Sequence, residues 1–290
     1  MLNKKLQRRH SYSSLSLFLQ CKYKYYLKYI CGFYPQGSSP YFDIGNLAHL
    51  VMENVGNGAD IEEQIGYYKK EFKKIPPKFP DFDFEPYIEK NKIFFKRLKK
   101  GICGDDYEIV GTELEFRVKL FGETIMGKID LLLRNKATGS LKVVDYKTNK
   151  KVFSKKDRNN SLQQAIYGLA CQQMYGVTPI EYEYDMLFLG KKQSALDDQV
   201  DIIKYVSDEI YKIFEQMNKN FELDEYEPNK TVLCSYCSYG KLESYSPDIF
   251  YGGICDYALL WRRGEGFIEK GKQFKSKHTP KEEDWGDWDY

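Results

Sequence analysis

The sequence predicts an α/β fold in which a mixed central sheet is flanked by helices. Three observations lead there. Between residues 107 and 148 the apolar recurrence changes from a helical period to strand alternation, with turns at Phe121-Gly122 and Ala137–Ser140, which predicts three consecutive strands in a meander. Helical patterns stand on both sides of that stretch. A further strand pattern at Tyr182–Leu189 lies between two of the later helices.

In chain order, Ser11-Tyr12-Ser13 precedes Leu15, Phe18, Leu19, Tyr26, Leu27 and Ile30, a helical recurrence opened by a capping serine. The first helix is therefore expected over Ser13–Ile30. Gly32 to Pro40 is a turn-rich break, and Asp43 opens a second helix through Leu47, Leu50, Val51 and Val55, which carries His49. Packing helices follow at Ile61–Lys74 and Pro86–Lys100, separated by the Pro-rich segment Ile75–Pro80. The meander strands are Tyr107–Leu120, Thr124–Arg134 and Leu141–Thr148. Ser161 begins a helix with Gln163 and Tyr167 beside the apolar Leu162, Ile166, Leu169 and Ala170, ending near Gly176. Asp198–Asn220 reads as a long amphipathic helix through Val206, Ile210, Ile213, Phe214 and Met217, expected to cover one face of the sheet.

With 290 residues, 42% hydrophobic, 30% charged and 16% aromatic, the composition is that of a folded globular chain, not a disordered or fibrous one. The expected organisation is one elaborated domain over residues 1–245 and a C-terminal extension over 246–290. No fixed-period repeat supports a solenoid. A net charge of +2 gives no overall basic field, so any nucleic-acid surface must be local. The basic start MLNKKLQRRH is not followed by the apolar segment of a signal peptide, and nowhere do about 18 apolar residues, the length a membrane span needs, run without a charge. The expectation is a cytoplasmic protein with no membrane partner. Seven cysteines, an odd count, then point to metal ligands or buried thiols before disulfides.

The chemistry-bearing residues lie in the meander. In GKIDLLLR the strand period puts Ile129, Leu131 and Leu133 on one face and Asp130 on the other; in LKVVDYKT it puts Asp145 and Lys147 on one face, with Val144 and Tyr146 turned away. If the two strands pair through the short turn, both acids can converge on one hard divalent cation beside an ammonium. Hydrolysis of a phosphodiester needs a nucleophilic hydroxide and charge neutralisation, which such a set supplies. Two strand-end acids paired with lysines would leave the same local pattern. Gln163 and Tyr167, four apart, share a helix face where an amide and a phenol can hold a phosphate or a base; helix surface and core edge is the plainer reading. Glu113 and Glu115 lie on one face of the preceding strand, as supporting acids or as an exposed strand face.

In order, Gly45-Asn46-Leu47-Ala48-His49, then GKID, then VVDYKT, then Gln163-x-x-x-Tyr167, together with Ser11-Tyr12-Ser13 and Cys21, resemble the motifs of RecB-like PD-(D/E)XK nucleases over residues 11 to 240. The resemblance implies a restriction-endonuclease-like core and a Mg²⁺- or Mn²⁺-dependent deoxyribonuclease, an exonuclease on DNA ends or single strands in replication, recombination or repair. It implies that His49, Asp130, Asp145 and the main-chain carbonyl of Tyr146 hold the metal, that Lys147 orients or activates water, and that Gln163 and Tyr167 complete the catalytic set. Without it, a lone His49 would read as a hydrogen-bonded core histidine. Two other functions fit the motifs: a non-catalytic nucleic-acid-binding module of a repair or phage recombination complex, and a site-specific endonuclease of the same superfamily.

Cys234-Ser-Tyr-Cys237 with the early Cys21 resembles family members that join the ends of the domain by an iron–sulfur cluster. Four thiolates close a 4Fe-4S cubane. The family's fourth cysteine position holds Glu243 here, which leaves Cys255 or Cys31 as the fourth ligand, a zinc site, or a partial staple. Lys150, Lys151, Lys155, Lys156 and Arg158 follow Lys147 closely and would hold the DNA backbone, or form a solvated loop. The acidic and aromatic tail KEEDWGDWDY reads as a loose end or as a docking peptide for a replication or recombination protein.

Overall fold

The structure, a computed structural model, describes residues 9–34, 39–159, 161–179, 181–194, 202–231, 234, 237–240 and 255. The expected C-terminal extension, apart from Cys255, its tail, and the expected start of the last helix at Asp198 lie outside these residues. The chain divides into two compact units, one of Met1–Tyr12 with Ser38–Tyr211 and one of Ser13–Gly37 with Lys212–Tyr290. No helix among the described residues is long and apolar enough to cross a membrane.

The larger unit is a mixed α/β structure around one six-stranded sheet. Its strands are β1 (Arg9–His10), β2 (Tyr107–Leu120), β3 (Glu123–Asn135), β4 (Leu141–Lys147), β5 (Glu181–Met186) and β6 (Lys191–Ser194). The expected meander is present: β2 and β3 pair antiparallel along their length, and β3 pairs antiparallel with β4. Phe121 and Gly122, at φ of 52° and 81°, join β2 to β3 as the two-residue turn that matches strand twist. Beyond β4 the chain crosses over through α6 (Lys155–Asn159) and α7 (Leu162–Tyr175) to β5, which is parallel to β4. The short β1 and β6 were not expected from sequence; β1 runs parallel to the start of β3 and β6 antiparallel to β5.

Helices α3 (Pro40–Gly56), α4 (Ile61–Phe72) and α5 (Glu85–Leu98) pack on one face of the sheet. Their starts are set by local chemistry: Ser39 Oγ accepts from Phe42 N ahead of Pro40, and Asp60 Oδ1 accepts from Glu63 N. Ile44, Leu47, Val51, Tyr68, Phe94 and Leu98 meet Leu131, Leu133, Val144 and Tyr146 in one core, so the alternation read from sequence sends these strand residues to the helices. At about 1.5–3 kcal/mol for each large buried apolar side chain, this cluster is the main anchor of the unit. Ser161 caps α7, and Gly176, at φ 73°, ends it in the left-handed conformation that glycine adopts without strain.

In the smaller unit the expected single helix over Ser13–Ile30 is two: α1 (Tyr12–Gln20) and α2 (Lys22–Tyr25), the latter running into a π-helical turn at Tyr26–Ile30. Cys21, at φ −162° and ψ 108°, is extended and separates them. The apolar period continues across the break because Phe18, Tyr25 and Leu27 are all buried, which hid the interruption. Leu27, Tyr239 and Cys255 form a small core with Tyr26, Phe33, Cys234 and Cys237 packed around it. Helix α8 (Ile202–Leu223) extends three residues beyond the expected end at Asn220.

Candidate metal and catalytic centre

The site forms where the sheet forks. Strand β4 pairs with β3 only as far as Val144 opposite Leu131; its next residues, Asp145, Tyr146 and Lys147, pair with Tyr184, Asp185 and Met186 of β5. Continued one step, the β3–β4 register would set Asp130 against Asp145, and two facing carboxylates do not sustain a ladder. Asp130 closes the opening with its side chain: Oδ2 accepts from the main-chain N–H of Tyr146 at 2.7 Å.

On its other edge, β3 brings Asp130 level with Glu113. Thr112 pairs with Leu131 and Leu114 with Ile129, so the residue between them on each strand stands opposite the other. That register depends on a one-residue bulge between Ile109 and Gly111, and Glu113 itself takes a positive φ of 44°. Bulges re-aim side chains beside functional sites. Glu115, two residues on, is exposed and pairs with Lys128 at 3.3 Å.

His49 comes from α3. Two glycines let this helix lie close to the sheet: a Cβ at Gly45 would meet Thr148 Oγ1 at 3.2 Å, and one at Gly56 would meet Thr112 Cγ2 at 2.4 Å. His49 lies between them, its Nδ1 3.7 Å from Asp130 Oδ2 and its ring edge-on to Tyr146 at 5.9 Å. The Gly45-x-x-x-His49 spacing thus has a steric reason. Burial, and then the Lys147 ammonium, lower the imidazole to about 4, against a hydrogen bond to the Tyr146 main chain. The ring is neutral at physiological pH and offers a lone pair.

One donor atom each from His49, Glu113 and Asp130 lie within 4.8 Å of one another, the one such cluster among the described residues. Glu113 is therefore a full member of the cluster, where sequence reasoning expected at most a supporting acid. Asp145 is outside that cluster; its fully buried carboxylate is turned to Lys147, with Nζ 2.5 Å from Oδ2. Neither Asp145 oxygen receives a hydrogen bond of normal geometry. Burial raises both aspartates above the usual carboxylate range; for Asp130 the neighbouring Asp145 adds to it, and Lys147 opposes it in both. Burial also works against the charge on Lys147, but Asp145 and Asp130 outweigh it and hold the ammonium above its ordinary value.

Lys147 Nζ donates to Gln163 Oε1 at 2.9 Å, and Gln163 Nε2 donates to the Tyr167 hydroxyl at 2.9 Å. The expected pair on α7 is thus joined to the lysine. Tyr184, which pairs with Asp145 in the ladder, fixes the start of α7 by donating to Ser161 Oγ at 2.5 Å. Burial, then Asp145 and Asp130, push the Tyr167 phenol well up, so it stays protonated.

The residues fit a hard divalent cation. Three carboxylates and a neutral imidazole gather at the fork, with the Lys147 ammonium beside the two aspartates, the donors are oxygen and nitrogen, and Asp145 keeps unused acceptor capacity. Such an ion, when bound, supplies charge neutralisation and an acidified water. Lys147, Gln163 and Tyr167 add donors beside it.

Of the basic cluster, Lys150, Lys151, Lys155 and Lys156 are exposed. Lys150 donates to the Tyr41 hydroxyl at 3.2 Å, and Arg158 donates to the Ser194 carbonyl. In the smaller unit Cys21, Cys31, Cys234, Cys237 and Cys255 form no disulfide. Burial raises the Cys237 thiol, with Cys21 and Cys234 among its electrostatic neighbours.

No curated protein matches the chain. A crystal structure of a candidate exonuclease from Eubacterium rectale is similar at 15% identity, covering 83% of this chain and 91% of that one, with a TM-score of 0.44. That of SSO0001 is similar at 15% identity over 71% of this chain and 96% of its own, with a TM-score of 0.31. These scores carry no argument about function. The family model described as the PD-(D/E)XK nuclease superfamily matches residues 9–242, most of the chain, across the fork, α3 and α7. The protein belongs to the PD-(D/E)XK nuclease superfamily.

Proposed function

We propose that the protein is a Mg²⁺- or Mn²⁺-dependent deoxyribonuclease of RecB-like type, acting as an exonuclease on DNA ends or single strands in replication, recombination or repair. The observation that carries this is the fork: His49, Glu113 and Asp130 meet within 4.8 Å, beside the Asp145–Lys147 pair. In this reading His49, Asp130, Asp145 and the Tyr146 carbonyl hold the metal, with Glu113 added to the set. Lys147 orients the attacking water and stabilises charge on the phosphorane. Gln163 steadies Lys147, and Tyr167 keeps a proton to donate toward a phosphate oxygen. Lys150, Lys151, Lys155, Lys156 and Arg158 track the backbone near the site.

The same reading assigns Cys21, Cys234, Cys237 and Cys255 to a 4Fe-4S cluster. It is supported by their presence in one unit, three of them in one small apolar core, with no disulfide. Brown protein absorbing near 400 nm after anaerobic purification is the expected result; iron-free protein of full activity would remove the cluster.

The nuclease test is cleavage of end-labelled single-stranded DNA with Mg²⁺ or Mn²⁺ by wild type, Asp145→Ala and Lys147→Ala. A loss of about a thousandfold or more in both variants is expected, because each substitution removes charge stabilisation made at the reacting phosphate. Equal rates in all three proteins would defeat the proposal. Discrete fragments from closed circular DNA would instead indicate a site-specific endonuclease.

A further inference from the structure

Two turns of α3 upstream of His49, the helix begins with large aromatic residues that stay in solvent. Tyr41 is 50% exposed and Phe42 63% exposed. Neither exposure is explained by helix packing, since the same helix buries Ile44, Leu47, Ala48, Val51 and Met52. Tyr41 is held in place: its ring packs edge-on against Phe82 at 4.9 Å, and Lys150 Nζ lies 3.2 Å from its hydroxyl and 4.7 Å from its ring centroid. An ordered, half-exposed aromatic ring beside a cation is a common platform for an unpaired base.

A second lysine completes the patch. Lys90 Nζ lies 4.1 Å from the ring centroid of buried Tyr87, whose ring in turn meets Phe82 at 5.8 Å. Burial, and then Lys150, disfavour the charge on Lys90, while Tyr41 favours it, so the two ammoniums and the Tyr41 ring share one electrostatic neighbourhood. Two like charges brought together beside aromatic rings call for an anion. On α3 itself the acid at this end, Asp43, lies 3.8 Å from Lys78.

Position connects the patch to the chemistry. Tyr41 and His49 are eight residues apart on one helix, roughly 12 Å along its axis, a distance of one to two nucleotides of an extended strand. Gly45 lies between them and brings α3 against Thr148, which sits between Lys147 and Lys150 in the chain. A strand with one phosphate at the fork would pass this patch.

We propose that Tyr41, Lys90 and Lys150 form a docking step for a single-stranded polynucleotide, with an unpaired base stacked on Tyr41 and the adjoining phosphate held between the two ammoniums. This rests on the nuclease reading for its substrate class and adds the residues that select an unpaired strand. A duplex hides its base faces, so the ring contributes little to duplex binding.

The test is fluorescence anisotropy of a labelled oligothymidylate and of a duplex of equal length, in EDTA so that no cleavage occurs. Tyr41→Ala is expected to weaken binding to the single strand about tenfold and to leave duplex binding within about twofold. Tyr41→Phe keeps the ring and is expected to restore single-strand affinity; this arm separates stacking from a folding defect. Lys90→Gln with Lys150→Gln should make the salt dependence of log K shallower by about 0.7, because one phosphate is then no longer neutralised by the protein. Unchanged single-strand affinity in Tyr41→Ala, equal losses for both nucleic acids, or a Tyr41→Phe protein as weak as Tyr41→Ala would overturn the proposal. The nuclease reading is judged separately, by wild-type cleavage of a small aryl phosphodiester with Mn²⁺, which is too short to reach Tyr41.

Discussion

Asp145 and Asp185 are both fully buried acids and lie on neighbouring rungs of the β4–β5 ladder, Asp145 opposite Tyr184 and Asp185 opposite Tyr146. Adjacent rungs face opposite sides of a sheet. On one side Asp185 faces one cation of its own: Arg97 of α5 reaches Oδ2 with Nε at 2.8 Å and Nη2 at 2.5 Å, leaving Oδ1 without a hydrogen bond, and its Nη1 donates to the Gly101 carbonyl at 2.6 Å. On the other, Asp145 and Asp130 share the Lys147 ammonium, Glu113 has Lys128 as its cationic neighbour and Glu53 and Asp145 as acidic ones, and a neutral imidazole lies beside them. The first arrangement balances its charge and ties a helix to the sheet. The second holds acids in excess of cations, an arrangement suited to a divalent cation. Charge balance, more than burial or residue type, separates the acid paired within the fold from those proposed to hold the metal.

The largest effect on stability should come from breaking the balanced pair. Arg97→Ala leaves Asp185 buried and unpaired and is expected to cost about 3–5 kcal/mol in a urea titration. Replacing both partners by apolar residues, Arg97→Met with Asp185→Leu, should recover most of that loss, because no charge is then stranded. A loss under about 1 kcal/mol for the single variant would break the comparison, since Asp185 would then need its partner no more than an exposed acid does.

Glu113→Gln tests the other side of the sheet at intermediate size. The amide keeps the shape but removes one of the three charges, and Mn²⁺ affinity by calorimetry is expected to fall about 10- to 100-fold. A change below about twofold would remove Glu113 from the metal set and return the site to the residues read from sequence alone.

That reading reached most of the sheet and most of the residues gathered at the candidate site for reasons that individual residues make plain. Strands β2 to β4 alternate strongly, so Leu131, Leu133, Val144 and Tyr146 announced the helix-covered face, and Asp130, Asp145 and Lys147 stood out against it. Strand β6 is Lys-Lys-Gln-Ser and β1 only two residues, edge strands without an apolar face to give a period. Glu113 was visible as an acid on a strand, but its place opposite Asp130 depends on the bulge between Ile109 and Gly111; the glycine marks an irregular strand without saying which residues then face each other across it. The break at Cys21 was hidden for the opposite reason, because the helical period runs unbroken through it. Local alternation is written in the chain; cross-strand register and local backbone turns depend on tertiary partners.

The smallest effect should run against the usual direction of substitutions in a core. Asp130→Asn keeps an oxygen to accept from Tyr146 N but removes a charge held against burial and against Asp145. In EDTA at neutral pH the variant is expected to be more stable than wild type by about 1 kcal/mol, as functional acids commonly reduce stability. The sign follows from proton linkage. A carboxyl raised in the folded state binds more protons there than in the unfolded chain, so wild type loses stability as pH rises from the ordinary value of 3.8 through the folded one. The asparagine protein has no such loss at this position, so its advantage should be present at neutral pH and fade as pH falls toward 3.8. Saturating Mn²⁺ should reverse the order, because the cation binds the folded wild-type site more tightly and stabilises it by mass action. Melting curves of both proteins at two pH values, with and without the ion, give all four comparisons; an asparagine variant less stable in every one would mean that Asp130 holds the fork together as Arg97 holds α5.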